Sequence, residues 1–303
     1  MSKLLVSVCI ITYNHEKYIE EALSGVLMQK VNFDLEIIIA DDCSTDGTRQ
    51  IISKYKEKYP STIKLIFQEK NVGAAQNWHD LIISPTGKYV AYFEGDDVWT
   101  DVNKLQTQVD FLEKNEEYSL CFHNVNLIKN GQSTDELIYN SSRKEKIALV
   151  DLFKGDYTQT CSSVFRNSDN FKNIPIEMGH DTVLYMRCLD GGKYAHYINK
   201  TMSSYRLHSG GVWSMSPREN QLRSDLAAWE YLCEYYGDNK DVDHIGNRIN
   251  RINFELAFVS LSNSEFRKFL KQMNVSIKKR YFSIRMFYKM LRKYFLNKEK
   301  LKL

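Results

Sequence analysis

Four apolar runs, LLVSVCII (4–11), LEIIIA (35–40), IKLIFQ (63–68) and KYVAYFE (88–94), are separated by three stretches with helical spacing. The runs are rich in β-branched residues and do not alternate polar with apolar, the pattern of strands covered on both faces. After the first run, TYNHEKYIEEALSGVLMQ puts Ile19, Ala22, Leu23 and Val26 on one helical face. TRQIISKYKEKY follows the second run, and a helix over roughly 74–84 leads into the fourth. Strands buried on both faces and joined by helices run parallel, with right-handed crossovers. The sequence therefore predicts an α/β fold, a parallel sheet flanked by helices.

Ligands of such sheets bind beyond the carboxyl ends of the strands. Polar clusters far apart in sequence fall at those ends: Thr12-Tyr13-Asn14, Asp41-Asp42-Cys43-Ser44 and Glu94-Gly95-Asp96-Asp97. Three acids within four positions repel one another unless a cation sits among them. Hard divalent ions take oxygen ligands, and Mg²⁺ or Mn²⁺ combines one or two carboxylates with phosphate oxygens. Asp96 and Asp97 are thus candidate metal ligands, and Gly95 is expected to let a ligand approach the backbone. In isolation the same four residues would be a turn and helix cap. No GxGxxG follows the first strand and no GxxxxGK[ST] occurs, which excludes a dinucleotide-binding fingerprint and a P-loop.

Beyond residue 110 the alternation weakens. YSLCFHNVNLI (118–128) and TQTCSSVFR (158–166) are expected strands, 175–189 begins as a loop and becomes a helix, and 220–295 is mainly helical. Of 303 residues, 43% are hydrophobic and 26% charged, a globular composition. The net charge of +3 conceals an asymmetry: residues 278–303 carry ten Lys/Arg against the single acid Glu299, and residues 1–277 carry 31 basic and 37 acidic side chains. That balance argues against nucleic-acid binding by the body. Six cysteines without a CxxC pair suit a reducing compartment. The first apolar run is too short to span a bilayer, and no small-residue cleavage site follows it. A cytoplasmic location is the expectation.

VSVCIITYNHEKYIEEAL, EIIIADDCSTDGT, the EGDD acids and a later Gly-His-Asp together resemble the family 2 glycosyltransferases, over about residues 5–210. The resemblance implies a GT-A fold and an inverting enzyme that uses a nucleoside-diphosphate-sugar with Mn²⁺ or Mg²⁺. It assigns the nucleotide to Thr12, Tyr13, Asp42, Asn71, Gly73, Glu94, Asp96 and Arg206, with Asp42 accepting the ring N–H of the base. Uracil, thymine and guanine all carry such an N–H, and a UDP-sugar is the first expectation. Asp181, in GHDTVLYMRCL, matches the base that deprotonates the acceptor hydroxyl; an N-cap is its structural alternative. SYRLHSGGVWS (204–214) resembles a loop that closes over the diphosphate, with His208 as a third metal ligand and Arg206 offsetting phosphate charge. Thr160, Ser162, Ser163 and His180 would face the acceptor, a polysaccharide or lipid-linked glycan. The chain departs from the family pattern in Glu94 for the first acid of Asp-x-Asp-Asp, in Ile11 where proline is common, and in His180 where an acid usually precedes the base.

These assignments divide the chain into a GT-A domain over 1–215, with a nucleotide half to about 110 and an acceptor half from 111. A helical region over 216–303 follows. In the tail, Ile284, Phe287, Tyr288, Met290, Leu291, Tyr294 and Phe295 share one helical face and Arg285, Lys289, Arg292 and Lys293 the other. Such a helix lies on an anionic membrane surface, which would give a peripheral location on the inner face, or packs on the body with its basic face solvated. Two other classes remain open on sequence alone: a nucleotidyltransferase that makes nucleotide-sugars, and a non-catalytic binding module on the same fold. The first calls for a glycine-rich phosphate loop that TYNHEKY lacks, and the second does not need Asp96, Asp97 and Asp181 together.

Overall fold

The computed structural model describes residues 5–139, 142–155, 158–178, 181–211, 213, 216–262, 267 and 292. Of the sequence expectations, His180 and the tail 278–303 apart from Arg292 lie outside the described residues. The chain forms two compact units, Met1–Leu149 with Tyr157–His208, and Val150–Asp156 with Ser209–Leu303.

The first unit carries a ten-stranded mixed sheet. β1 (Leu5–Thr12), α1 (Ile19–Leu27), β2 (Asp34–Asp41), α2 (Thr48–Lys58), β3 (Ile63–Phe67), α3 (Ala74–Ile82) and β4 (Tyr89–Glu94) follow the predicted alternation. Their four strands are parallel in the order β3-β2-β1-β4. Ile19, Ala22, Leu23 and Val26 are fully buried under the sheet, as their spacing predicts. Register aligns the strand ends: Thr12 pairs with Asp41, and Ile11 with Glu94. Three polar strand ends therefore share one level at the carboxyl edge.

The chain continues through β5 (Val98–Trp99), α4 (Lys104–Lys114), β6 (Tyr118–Lys129), β7 (Gln132–Leu137), β8 (Lys146–Ile147), α5 (Leu149–Phe153), β9 (Val164–Arg166), α6 (Asp181–Cys188) and β10 (Tyr194–Leu207). β9 lies antiparallel between β4 and β6, β10 runs parallel to β6, and β5 pairs antiparallel with β10. Two expectations need correction. Only Val164–Arg166 of 158–166 is strand, because Thr160–Ser162 turns as a 3₁₀ helix before it. Residues 204–207, expected in a loop, end the 14-residue β10. Its polar and aromatic composition hides it from a search for apolar runs, and pairing with β6 along nearly its whole length stabilises it.

In the second unit, α7 (Arg218–Tyr235) buries Leu222, Ala228, Trp229 and Leu232, and α8 (Asp243–Ser262) buries Ile245, Ile249, Ile252 and Leu256. Arg218 of α7 pairs with Glu255 of α8 at 2.5 Å. Among the described residues, no helix is long and apolar enough to cross a membrane.

At the opposite edge of the sheet, buried Glu36 ties β2 to its neighbours. It accepts the Ser7 hydroxyl, the Thr86 backbone N–H and hydroxyl at 2.8 Å each, and the Lys64 ammonium at 2.6 Å. Burial opposes its charge, but these donors outweigh it and hold the carboxyl down to about 2. A depressed carboxyl stabilises the fold above its unfolded value near 4.5 and ceases to as pH falls through the folded one. Glu36→Gln should lower stability by about 2 kcal/mol at neutral pH. In urea melts across pH, the gap from the parent should close as pH falls from about 4.5 to about 2. A gap unchanged across that window would refute the assignment.

Candidate active site

The first two strand-end loops are bound to each other. Asn14, in a left-handed conformation with φ of 55°, donates its backbone N–H to Ser44 Oγ at 2.8 Å and accepts the Thr45 N–H on Oδ1 at 2.8 Å. The Glu16 N–H reaches Asp46 Oδ2 at 3.1 Å. Tyr13 is half-buried. The paired acids of the second loop separate in role. Asp41 is turned inward onto the Ser44 N–H and hydroxyl and the Arg49 guanidinium. Asp42 accepts the N–H groups of Val72 at 2.7 Å and Gly73 at 3.0 Å, while Asn71 Nδ2 donates to the Asp42 carbonyl at 3.2 Å. Gly73 has φ of 88°, a conformation open to glycine, so the 71–73 turn is shaped to close over Asp42. The expected nucleotide residues Asp42, Asn71 and Gly73 are thus one hydrogen-bonded unit.

Glu94, Asp96 and Asp97 stand beside them at the end of β4. Glu94 accepts the Thr160 hydroxyl, and burial pushes its carboxyl up to about 8, with the Thr160 bond opposing and the charges of Asp96 and Asp181 adding. Asp97 is fully buried. Its Oδ1 accepts the Arg206 backbone N–H at 2.9 Å, its Oδ2 meets no N–H or O–H donor among the described residues, and the Cys161 thiol is the other polar group beside it. Burial and then the charges of Asp96 and Glu94 raise its carboxyl well above the usual range. Arg206, expected to face phosphate, instead donates Nε to the Asp96 carbonyl at 2.8 Å and Nη2 to Glu21 at 2.5 Å, with 8% of its side chain exposed. The room at Gly95 is filled by the chain itself. A Cβ there would lie 2.9 Å from Ile19 Cδ1 and 3.0 Å from Thr12 Oγ1, so the glycine serves packing against β1 rather than ligand approach.

Antiparallel pairing of β5 with β10, Ser203 opposite Trp99 and Ser204 opposite Val98, carries His208 back over this loop. His208 Nε2 lies 2.8 Å from Asp96 Oδ2, and His15 Nε2 lies 3.7 Å from the same oxygen. The three ligand atoms are within 4.8 Å of one another, close enough to share one ion. Asp97, expected as a ligand, is not in this group because its carboxylate is turned onto the Arg206 backbone. His15 takes a place that the sequence did not reveal: a single histidine in a loop, 81 residues before Asp96, has no ligand spacing to announce it. Its one signal is its position just beyond a strand end. The donor set of one carboxylate and two imidazoles fits a divalent cation.

Asp181 opens α6, where its Oδ1 accepts the Thr182 N–H at 2.7 Å. Its charge acts on Glu94, Tyr92 and Tyr185, so it belongs to the same electrostatic neighbourhood as the strand-end acids. Thr160 bonds Glu94. Ser162 and Ser163, expected at the acceptor, are fully buried and donate to the carbonyls of Gln159 at 2.6 Å and Thr160 at 2.9 Å. Their hydroxyls hold the turn rather than a ligand. Below it, Trp99 Nε1 donates to the Cys161 carbonyl at 3.0 Å and Gln108 Nε2 to the Ser162 carbonyl at 2.8 Å. The buried Lys104 Nζ donates to Gln108 Oε1 at 2.8 Å and sits 4.2 Å from the centre of the Trp99 ring; burial brings its ammonium down to about 7.

A parallel half-sheet with acids and two bound loops at its carboxyl edge, extended by antiparallel strands, is the GT-A glycosyltransferase fold. The family model described as Glycosyl transferase family 2 matches residues 7–171, and the chain belongs to that family. The uncharacterized protein Rv1520 of Mycobacterium tuberculosis is 37% identical over 209 residues, 69% of this chain and 60% of that protein. The chain thus spans about 60% of that relative's length. WfaP of Escherichia coli, named a UDP-Glc:alpha-D-GlcNAc-diphosphoundecaprenol beta-1,3-glucosyltransferase, is 31% identical over 247 residues, 77% of this chain and 92% of that protein. Among solved structures, S. aureus TarS 1–349 in complex with UDP-GlcNAc superposes with a TM-score of 0.69 at 19% identity, covering 93% of this chain and 83% of that one. Mannosyltransferase PcManGT from Pyrobaculum calidifontis, in complex with GDP-Man and Mn²⁺, gives 0.60 at 14% identity, covering 98% and 81%. At these identities the structures speak for the fold alone.

Because Gly95 is packed against Thr12 and Ile19, Gly95→Ala should lower stability by about 1–3 kcal/mol in thermal melts while the fold is kept. A variant as stable as the parent would mean that β1 and the β4 end are not closely packed there.

Proposed function

We propose that the chain is an inverting glycosyltransferase that moves a sugar from a nucleoside-diphosphate-sugar, a UDP-sugar in the first instance, to a hydroxyl of a polysaccharide or lipid-linked glycan. The observation that carries this reading is the meeting of Asp96 and His208 beside the Asp42 turn, with Asp181 in the same electrostatic neighbourhood. Family membership points the same way, as does the name of WfaP, which specifies a UDP-sugar and a diphosphoundecaprenol-linked acceptor for that protein. PcManGT, solved in complex with Mn²⁺, supports a divalent cation here, Mn²⁺ or Mg²⁺.

In this reading residues 1–215 are the catalytic part. Thr12, Tyr13, Asp42, Asn71, Gly73 and Glu94 line the nucleotide, with Asp42 accepting the base N–H alongside the Val72 and Gly73 amides. Asp96 and His208 would hold the cation, and Arg206 braces Asp96 through its backbone carbonyl. A divalent cation bound there supplies positive charge to the diphosphate as it departs. Asp181 takes the proton of the acceptor hydroxyl while that oxygen bonds to the anomeric carbon. The bond from that carbon to the diphosphate oxygen breaks on the opposite face, and its electron pair leaves with the nucleoside diphosphate. A single displacement of this kind inverts the anomeric centre. The excess of basic residues in 278–303 would suit an anionic membrane surface, where a lipid-linked acceptor lies.

Asp181→Asn separates this reading from a binding module. Turnover of the donor should fall by about 10²–10⁴-fold, with the affinity for UDP in calorimetry kept within about twofold. Turnover equal to the parent would contradict the role of Asp181.

A further inference from the structure

We infer that His15 is a third protein ligand of the cation, making a two-histidine, one-carboxylate site that holds a first-row transition ion without nucleotide and discriminates against Mg²⁺. The inference rests on the divalent-cation reading above and deepens it.

His15 is positioned through both of its ring nitrogens. Nδ1 lies 3.2 Å from Thr12 Oγ1, on the strand that ends three residues earlier. Nε2 faces Asp96 Oδ2 at 3.7 Å. That gap is too long for a hydrogen bond and too short for an intervening water. It suits two donor atoms on one ion, which at bond lengths of about 2.1 Å lie about 3–4 Å apart. An Nδ1–H donated to Thr12 leaves the Nε2 lone pair directed into the cluster, the way an outer partner fixes the tautomer of a metal-bound histidine. His208 is oriented in the same sense by packing, its ring centre 4.6 Å from that of Tyr18. The side chains of His15, Asp96 and His208 are 9%, 15% and 11% exposed, sheltered but reachable.

Selectivity follows from the donor atoms. Mg²⁺ demands oxygen ligands and gives up water reluctantly, so a site with two imidazoles suits it poorly. Imidazole suits Zn, Cu, Fe and Ni, Mn²⁺ tolerates it although it shares the Mg²⁺ preference for oxygen, and two histidines with one carboxylate leave open positions for further oxygen ligands. Diphosphate oxygens would fill those positions. His15 thereby turns a site that oxygen chemistry alone would leave to either ion into one that prefers a transition metal.

The test uses the full chain, Mn²⁺ as the probe and no nucleotide. Electron spin-echo modulation should show nitrogen couplings from two imidazoles in the parent and one in His15→Gln. Titration should show Mn²⁺ bound at least about tenfold more weakly by His15→Gln, and about 10–100-fold more weakly by Thr12→Val, which removes only the orienting hydroxyl. A tenfold excess of Mg²⁺ should leave the parent spectrum unchanged. One imidazole coupling in the parent, no binding without nucleotide, or displacement by Mg²⁺ would each overturn the assignment, and none depends on a variant folding. Donor turnover with a one-imidazole spectrum would overturn this inference and leave the transferase reading standing. Two imidazoles without turnover of any nucleotide-sugar would support the inference and remove that reading.

Discussion

Three carboxyl groups crowd the buried end of β4, and the structure around them is organised by the need to keep them there. Each is met differently. Glu94 takes the Thr160 hydroxyl, Asp97 takes the backbone N–H of Arg206, and Asp96 faces two imidazoles. One oxygen of Asp97 is buried with no N–H or O–H donor among the described residues, and the Cys161 thiol is the polar group beside it. Burial first, and then the charge of neighbouring acids, raises the proton affinity of Glu94 and Asp97.

β10 is the element through which this is arranged. Its end lies beside the acids because β5, the chain just after them, pairs with it. Arg206 then links three parts of the unit: its N–H holds Asp97, its Nε holds the Asp96 carbonyl, and its Nη2 reaches Glu21 on α1. The guanidinium also lies 4.9 Å from the centre of the Tyr18 ring, which packs on His208. A shift at the end of β10 would therefore move the acids, His208 and the start of α1 together. The turn at Thr160–Ser163 is braced in the same manner by Trp99, Gln108 and Lys104, so Glu94 receives its hydroxyl from a rigid support.

The parallel half of the sheet was legible because its signals are local. β-branched runs and helical spacing name β1 to β4 and α1 to α3, and register does the rest by bringing Thr12, Asp41 and Glu94 level. What stayed hidden was made by pairing and by distance. β10 carries a mixed polar sequence that becomes a strand through β6, and Arg206 looks like a phosphate ligand until its guanidinium is seen bound to Asp96 and Glu21. Ser162 and Ser163 look like surface hydroxyls in a strand, but the 3₁₀ turn points them inward. His15 could not be found from spacing, since its partners lie 81 and 193 residues away. Residue identity gives the chemistry available, and only the topology says which groups meet.

Release of nucleoside diphosphate from UDP-, GDP- and dTDP-sugars by the full chain, with Mn²⁺, Mg²⁺ or EDTA, tests the central claim most directly. The expected result is release from one class of donor, abolished by EDTA and reduced at least about 10²-fold by Asp96→Ala. Release that persists in EDTA and in that variant would contradict a cation on the diphosphate as the basis of the site.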